Sequence, residues 1–326
     1  FAATEGNRGG EFFTPASVVE LLVQMLNPQE GIVYDPACGT GGIFIQSNKY
    51  GKKGMKFIGQ EQNCKTIMLA YMNGVLHGLD LQMKNGDTLL DDRFHELKAD
   101  YVISNPPFNM KDWGAEQLPE DDPRVFGKIN KNNANYMWMQ HFIYHLKEDG
   151  KAGFVISNGA LTSSNEADFD TRKKMLEQNI VDCVVQLPDK MFLGTAIPSA
   201  LIFLDKARGE RDKILFIDAG DFGKNISKTQ KILPERDITR ICKLYHSYKQ
   251  GKKIKYNKKG YSWVTAVSDV IGNGCKLMPG IYTGVKEEKT DREANEKAIS
   301  DLKDQLRKQI EISLQMSGAV FKELIE

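Results

Sequence analysis

The feature that most constrains the fold is an alternation of short β-rich runs with helix-length stretches between about residues 16 and 220. Strands separated by helices predict βαβ units and a doubly wound, mostly parallel α/β sheet. Ligands of such sheets collect at the carboxyl ends of the strands, so the loops after the runs are the places to look for chemistry. The predicted strands are 31–35, 56–60, 99–104, 153–157, 180–187 and 200–204.

Composition narrows the class of protein. A chain of 326 residues is long enough for about two domains. It has no apolar run long enough to span a membrane, and its start lacks a signal-peptide pattern, so neither a membrane partner nor secretion is expected. The absence of an initiator Met suggests a fragment. With 44 basic and 43 acidic residues, the net charge is +1, so any nucleic-acid contact requires a local patch.

Cysteine and histidine give no metal or disulfide pattern. The five cysteines are scattered without a CxxC pair, which argues against a zinc site and favours a reducing, cytoplasmic location. His77, His95, His141 and His145 have no cysteine or carboxylate partner at metal-ligand spacing. We therefore predict no metal and assign these histidines no role.

A glycine-rich loop, Asp35-Pro-Ala-Cys-Gly-Thr-Gly-Gly42, follows the first predicted strand and opens a helix. Glycines permit a tight turn whose backbone approaches a ligand closely. The loop is neither a P-loop nor a GxGxxG motif, and the acidic residue before the glycines suits a cationic ligand better than a pyrophosphate. The alternative is a purely structural strand-to-helix turn.

Two further carboxylates have informative spacing. Glu61 ends the next predicted strand about 20 residues after the glycines, where a carboxylate accepts hydrogen bonds from ribose hydroxyls. Asp87 lies where the loop after a third strand is expected, positioned to accept from an adenine amino group. The glycine loop, Glu61 and Asp87 are each weak evidence of a nucleoside site when taken alone. Their spacing along the chain makes the three together stronger evidence.

The segment Asn105-Pro-Pro-Phe108 follows the predicted strand 99–104. Two prolines rigidify the turn and remove backbone donors, so carbonyl oxygens are left to accept. The Asn105 side-chain oxygen and the Pro106 carbonyl can accept both hydrogens of a planar amine, while Phe108 offers a face for stacking a base. An ordinary turn with a half-buried Phe is the alternative.

Together with Glu11-Phe-Phe-Thr-Pro15, these segments resemble the amino-methyltransferases that use S-adenosyl-L-methionine to methylate adenine N6 in DNA. A narrower resemblance, to the modification subunit of type I restriction-modification systems, rests on residues 10–15, 136–141, 146–159 and 187–195. The resemblance covers nearly the whole chain from about residue 5. The family usually has a helical domain ahead of residues 11–15, which suggests that this chain is truncated.

The resemblance implies a Rossmann-like methyltransferase fold and roles for individual residues. The implied catalytic residues are Asn105, Pro106, Pro107 and Phe108. The implied cofactor-binding residues are Glu11, Phe12, Phe13, Thr14, Pro15, Asp35, Gly39, Thr40, Gly41, Gly42, Glu61 and Asp87.

The expected organisation has three parts. Residues 1–220 form the catalytic domain, 221–285 a small accessory region with a lysine-rich segment at 249–260, and 286–326 an amphipathic helix for subunit docking. The lysine-rich segment is as compatible with a solvated hairpin as with phosphate contacts. The implied partners are double-stranded DNA, the specificity and restriction subunits of the type I complex, and a second modification subunit.

Other reaction classes stay open at this stage. A protein glutamine or an RNA base also presents a planar amine, so an N-methyltransferase acting on either is the main alternative, and a catalytically silent binding module is another. The chain has no Pro-Cys dipeptide, which disfavours methylation of cytosine C5. Cys38, inside the glycine loop, is interpreted as a small packing residue.

Overall fold

A computed structural model of the chain describes residues 14–51, 54–193, 197–252, 255–285 and 292–323; in the last range the side chains are described at 299–314 and 316. Its strands are β1 Ile32–Asp35, β2 Lys56–Glu61, β3 Leu81–Asn85, β4 Ala99–Ser104, β5 Leu146–Ser157, β6 Val181–Gln186, β7 Ser199–Asp205, β8 Lys213–Asp218, β9 Lys224–Asn225, β10 Lys231–Ile232 and β11 Ser262–Ala266.

Helices precede, separate and follow these strands along the chain. They are α1 Ala16–Leu26, α2 Gly42–Tyr50, α3 Cys64–Leu76, α4 Asn135–His145, α5 Asn158–Leu161, α6 Glu166–Glu177, α7 Glu235–Lys249, α8 Val267–Gly272, α9 Pro279–Thr283 and α10 Arg292–Glu323, with a 3₁₀ turn at Ala115–Gln117. Within the described ranges, every helix is too short or too polar to traverse a bilayer.

Nine of the strands form one sheet in the order β11-β8-β6-β7-β5-β4-β1-β2-β3. Strands β7 and β11 run antiparallel to their neighbours, and the other neighbouring pairs in this sheet are parallel. The predicted doubly wound, mostly parallel sheet is confirmed. Strand β5 begins at Leu146, well before the predicted run, because its polar first half still pairs with β4 at Ala99.

The sheet has a hydrophobic core on each face. Along β7, Leu201 and Phe203 belong to one buried cluster, whereas Ile202 and Leu204 belong to the other. Successive side chains of a strand point to opposite faces, so a strand covered on both sides is apolar throughout. The same two-sided burial holds β1, β2 and β4 in the sheet.

The chain divides into two compact units, Phe1–Val285 and Lys286–Glu326. Within the first, residues 262–266 join the main sheet as β11, antiparallel to β8. The second contains α10, which lies inside the helix predicted from 291 to 326. Its apolar stripe is exposed to solvent at Ile299, Leu302, Leu306, Ile310 and Leu314.

Candidate functional site

Four neighbouring parallel strands end at the same edge of the sheet. Asp35 ends β1, Glu61 ends β2, Asn85 ends β3 two residues before Asp87, and Ser104 ends β4 just before Asn105. Since β1 pairs with both β2 and β4, and β2 with β3, these strand ends are neighbours. The sheet thus brings the carboxylates and the Asn-Pro-Pro-Phe segment, all found by sequence, to one edge.

The glycine loop forms an open turn at the start of α2. Gly39 (φ +53°) and Gly41 (φ +79°) adopt the left-handed region that L-residues rarely occupy. A Cβ built on Gly39 or Gly42 meets nothing within 4 Å, so the loop faces open space. Thr40 is half-buried, and its carbonyl accepts from Asn73 Nδ2 at 2.9 Å. The backbone therefore leaves room for a ligand above the loop.

Cys38 packs beneath this loop. It is 5% exposed, and a Cβ on Gly59 would lie only 2.9 Å from its Sγ, which shows how closely β2 approaches. Burial, followed by the charges of Asp35 and Glu61, raises the pKa of the Cys38 thiol well above its ordinary value. A thiol held neutral in this way is a poor nucleophile and serves packing.

Asp35 is a buried carboxyl at the end of β1. Its Oδ1 accepts from Ser104 Oγ at 2.7 Å and from the Ala37 N–H at 3.1 Å. Burial raises the pKa of Asp35 to about 7; these two hydrogen bonds lower it in part, and the charge of Glu61 raises it further. A carboxyl that is costly to ionise is stabilised by an adjacent cation.

Glu61 and Asp87 are held by backbone donors. Glu61 Oε2 accepts from the Gly39 N–H at 3.0 Å, and its Oε1 accepts from the Asn63 N–H at 2.8 Å, which fixes the carboxylate against the glycine loop. Asp87 Oδ1 accepts from the N–H groups of Leu89 and Leu90 at 3.0 and 3.3 Å. Both carboxylates are thus oriented before any ligand binds.

The side chain of Asn105 is half satisfied. Its Nδ2 donates to Thr14 Oγ1 at 2.8 Å, whereas its buried Oδ1 has no hydrogen-bond partner among the described residues. A buried acceptor without a partner costs about 1 to 3 kcal/mol, so this atom is prepared for an incoming N–H donor. Pro15, next to Thr14, is half-buried, whereas Glu11, Phe12 and Phe13 lie outside the described residues.

The rest of the segment is rigid and aromatic. Pro106 is buried, Pro107 is half-buried, and Phe108 lies against the core of one face of the sheet. The Phe108 ring meets Phe192 edge to face, with centroids 5.9 Å apart at 79°. Sequence reasoning gave Phe192 no role, although it lies in the segment 187–195 on which the narrower resemblance rests.

A second feature missed from sequence holds the end of this segment. Asn109 (φ +54°) donates its N–H to Asn135 Oδ1 at 2.9 Å, and Asn135 Nδ2 returns a bond to Asn109 Oδ1 at 2.8 Å. Ser157 Oγ also donates to Asn109 Oδ1, at 3.2 Å. These contacts join the loop after β4 to α4 and to the end of β5. No local sequence pattern predicts them, because their partners are far apart in the chain.

For His141 and His145, the expectation that no carboxylate partner lies at metal-ligand spacing is wrong. The fold brings Asp92 Oδ2 to 2.9 Å from His145 Nε2 and to 4.0 Å from His141 Nδ1, although Asp92 and His145 are 53 positions apart. Arg124 Nη1 lies 3.4 Å from His141 Nδ1. Burial and the charges of His145 and Arg124 hold the pKa of His141 well below its usual range.

Asp92, His141 and His145 each offer one possible metal-ligand atom, and these three atoms lie within 4.8 Å of one another, which is the spacing of a metal site. The Arg124 guanidinium beside them carries a permanent positive charge and opposes a metal cation. Asp92, His141, His145 and Arg124 therefore form a polar network of the core.

Comparison with known proteins identifies the family. The N-6 DNA Methylase family model matches residues 1–291. The MjaIX type I restriction enzyme methylase subunit of Methanocaldococcus jannaschii is 37% identical over 88% of this chain and 54% of its own length. The HindI type I methylase subunit of Haemophilus influenzae is 32% identical over 99% of this chain and 75% of its own length.

A solved structure supports the same conclusion. The type I restriction-modification methyltransferase subunit from Streptococcus thermophilus superposes with a TM-score of 0.78 at 30% identity, covering 87% of this chain and 61% of that one. The chain thus spans between about half and three quarters of the length of these relatives. It belongs to the N-6 DNA methylase family, among relatives that are type I restriction enzyme methylase subunits.

Proposed function

We propose that this chain is the catalytic part of an S-adenosyl-L-methionine-dependent DNA methyltransferase that modifies adenine N6 within a type I restriction-modification complex. The observation that carries the proposal is the buried Oδ1 of Asn105, which has no hydrogen-bond partner in the described part of the chain and lies at the same sheet edge as Asp35, Glu61 and Asp87. The edge combines an acceptor for a planar amine with a row of carboxylates suited to a cationic nucleoside.

The residues at the edge fit the cofactor. Asp35, whose ionised form a nearby cation stabilises, suits its positive charge, and the open faces of Gly39 and Gly42 leave room for the chain that bears it. Glu61 is placed for the ribose hydroxyls and Asp87 for the adenine amino group. When bound, S-adenosyl-L-methionine supplies an electrophilic methyl group on a sulfonium.

Asn105 and Pro106 act on the acceptor. Asn105 Oδ1 and the Pro106 carbonyl accept the two N–H groups of the adenine amine, which directs its lone pair away from the ring. Phe108, supported by Phe192, provides the face on which a base flipped from the duplex stacks. The bound cofactor would supply its methyl group to this amine nitrogen and leave as the neutral thioether, and the methylated amine would release one proton to solvent. Holding both groups in line is the main contribution of the protein.

The partners follow from the same proposal. The relatives are named as subunits of type I restriction enzymes, so we infer double-stranded DNA, a specificity subunit, a restriction subunit and a second modification subunit as partners, in the cytoplasm. A protein glutamine or an RNA base is not favoured as the acceptor, because the matching family model is that of DNA methylases.

Glu61→Ala is expected to weaken binding of S-adenosyl-L-methionine by about 1.5 to 3 kcal/mol, because the ribose loses hydrogen bonds to a charged group. Titration calorimetry measures the change. Glu148→Ala is the matched control, since the Glu148 side chain is fully exposed beside Lys206, at the opposite edge of the sheet. Equal affinity of Glu61→Ala and the wild-type protein would show that Glu61 is not a ligand.

Asn105→Ala is expected to abolish methyl transfer in the assembled enzyme while cofactor affinity stays nearly unchanged, because Asn105 acts on the acceptor amine. Transfer of labelled methyl to unmethylated genomic DNA and calorimetry with the cofactor measure the two effects separately. Asn273→Ala, at an exposed position after α8, is the control. If Asn105→Ala transferred methyl groups at the wild-type rate, the proposed role of Asn105 would be wrong.

Asp35→Asn is expected to stabilise the cofactor-free protein at pH 8 and to weaken cofactor binding. The folded-state pKa of Asp35 is raised from 3.8 to about 7, so its ionisation costs stability as pH rises through that window. At about 1.4 kcal/mol per unit, the gain of the variant approaches an upper limit of about 4 kcal/mol above pH 7 and shrinks toward pH 4.

Urea unfolding between pH 5 and pH 8 checks this expectation. Asp121→Asn, at an exposed position, serves as the control. A gain for Asp35→Asn that is the same at both pH values would mean that Asp35 is already ionised in the folded protein.

Replacing Leu302, Leu306 and Ile310 together with Ser is expected to leave thermal stability unchanged and to abolish co-purification with the specificity subunit. These side chains are 65%, 58% and 51% exposed, so their apolar stripe is available to a partner helix. Serine at Lys303, Arg307 and Glu311 on the polar face is the control. If the Leu302, Leu306 and Ile310 variant unfolds instead, the stripe belongs to the core of this chain and docks no partner.

A further inference from the structure

A buried ion pair lies beside the loop that follows β3. Arg124 is 6% exposed and Asp122 7%. Arg124 Nε donates to Asp122 Oδ1 at 2.9 Å, and Nη2 donates to Oδ2 at 2.6 Å, a two-point contact. Burial opposes the charge of Asp122, but hydrogen bonds and charge from Arg124 outweigh it and lower the pKa of this carboxyl. The pair is therefore ionised and holds the guanidinium in one orientation.

The remaining guanidinium donors reach the backbone of the loop. Nη1 donates to the Thr88 carbonyl at 3.0 Å, and Nη2 donates to the Leu89 carbonyl at 2.7 Å. Two consecutive peptide groups are thus held by one planar fork. A lysine ammonium in the same place has neither the reach nor the planar geometry to make both bonds and keep Asp122 paired.

These two peptides come directly after Asp87. Asp87 Oδ1 accepts the N–H of Leu89, so its carboxylate is oriented by the same turn whose carbonyls Arg124 holds. Thr88 Oγ1 donates to the Pro36 carbonyl and ties the turn to the glycine loop. Among the described residues, no donor contacts Asp87 Oδ2, which leaves this oxygen for a ligand.

The other side of Arg124 is anchored in the core. Its Nη1 lies 3.4 Å from His141 Nδ1, and His141 Nε2 lies 3.2 Å from the Tyr34 hydroxyl on β1. His145, one turn along α4, pairs with Asp92 from the loop after β3. These contacts hold the Arg124 guanidinium in one place, and the loop after β3 is positioned by its hydrogen bonds to that guanidinium.

We propose that Arg124 is a positioning residue that sets the Asp87 carboxylate for recognition of the adenine amino group of the cofactor. The proposal rests on the proposed cofactor role of Asp87 and adds the residue that makes it selective. Arg124 touches neither the cofactor nor the reacting atoms and acts through the Thr88 and Leu89 carbonyls.

The test compares two nucleoside ligands that differ only at the position Asp87 is proposed to contact. S-adenosylhomocysteine carries an amino group there, whereas its 6-deamino purine analogue carries only a hydrogen on carbon, which leaves the carboxylate without a donor. Calorimetry on the full chain is expected to give the wild-type protein a preference of about tenfold or more for the adenine ligand. In Arg124→Lys the ratio of the two affinities should fall toward one, because the guanidinium hydrogen bonds to the Thr88 and Leu89 carbonyls are lost.

Arg172→Lys is the matched control. Arg172 is 1% exposed, and its guanidinium donates to the carbonyls of Cys275 and Ser163, away from the cofactor loops. It should lose stability and keep the ligand preference. If Arg124→Lys does not fold, Asp122→Asn replaces it: this variant keeps Arg124 but loosens its orientation, so the preference should fall by a smaller factor.

An unchanged preference in the Arg124 variant, or in Asp122→Asn when that variant takes its place, would overturn the inference. An equal loss in Arg172→Lys would overturn it too, because the effect would then be general destabilisation. A wild-type protein that binds both ligands equally would refute the role of Asp87 and with it that of Arg124. A wild-type protein that binds neither would contradict the proposed cofactor itself, which is a different failure.

Discussion

The site depends on one constraint, the parallel alignment of β1, β2, β3 and β4, whose carboxyl ends lie at the same edge of the sheet. Buried side chains on both faces hold β1, β2 and β4, and β3 adds the buried Met83 at the edge of the sheet. Cross-links then join the loops: the Gly39 N–H to Glu61, Cys38 to the Gln60 carbonyl, and Thr88 to the Pro36 carbonyl. A ligand at this edge meets a surface that is already ordered.

Two buried polar groups at the edge are left in an unfavourable state, and both become favourable with the proposed ligands. Asp35 ionises only at the cost of desolvation, which a cation offsets. Asn105 Oδ1 is an acceptor that no donor of the described ranges reaches, and an amine would satisfy it. Such groups lower the stability of the free protein, and their energy is recovered on binding. In the proposed function, this is how the edge discriminates a cationic nucleoside and a planar amine from other molecules.

Much of this arrangement follows from sequence, because it depends on local signals. The strand runs, the glycines at positive φ and the acidic residues at strand ends are each visible in a few neighbouring letters. The supports are not visible in this way. Arg124 lies 36 positions from Thr88, Asn135 26 from Asn109, and His145 53 from Asp92, so only the folded chain brings them together. Phe192 is intermediate, since its segment resembles the family but its contact with Phe108 needs the sheet.

The most direct test of the account identifies the methylated product. The chain assembled with the proposed specificity subunit would be incubated with S-adenosyl-L-methionine and unmethylated genomic DNA, and the nucleosides of the digested DNA would be resolved by mass spectrometry. The account predicts N6-methyl-2′-deoxyadenosine as the product. A methyl group on cytosine, or no methylated nucleoside from an enzyme that binds the cofactor, would contradict it.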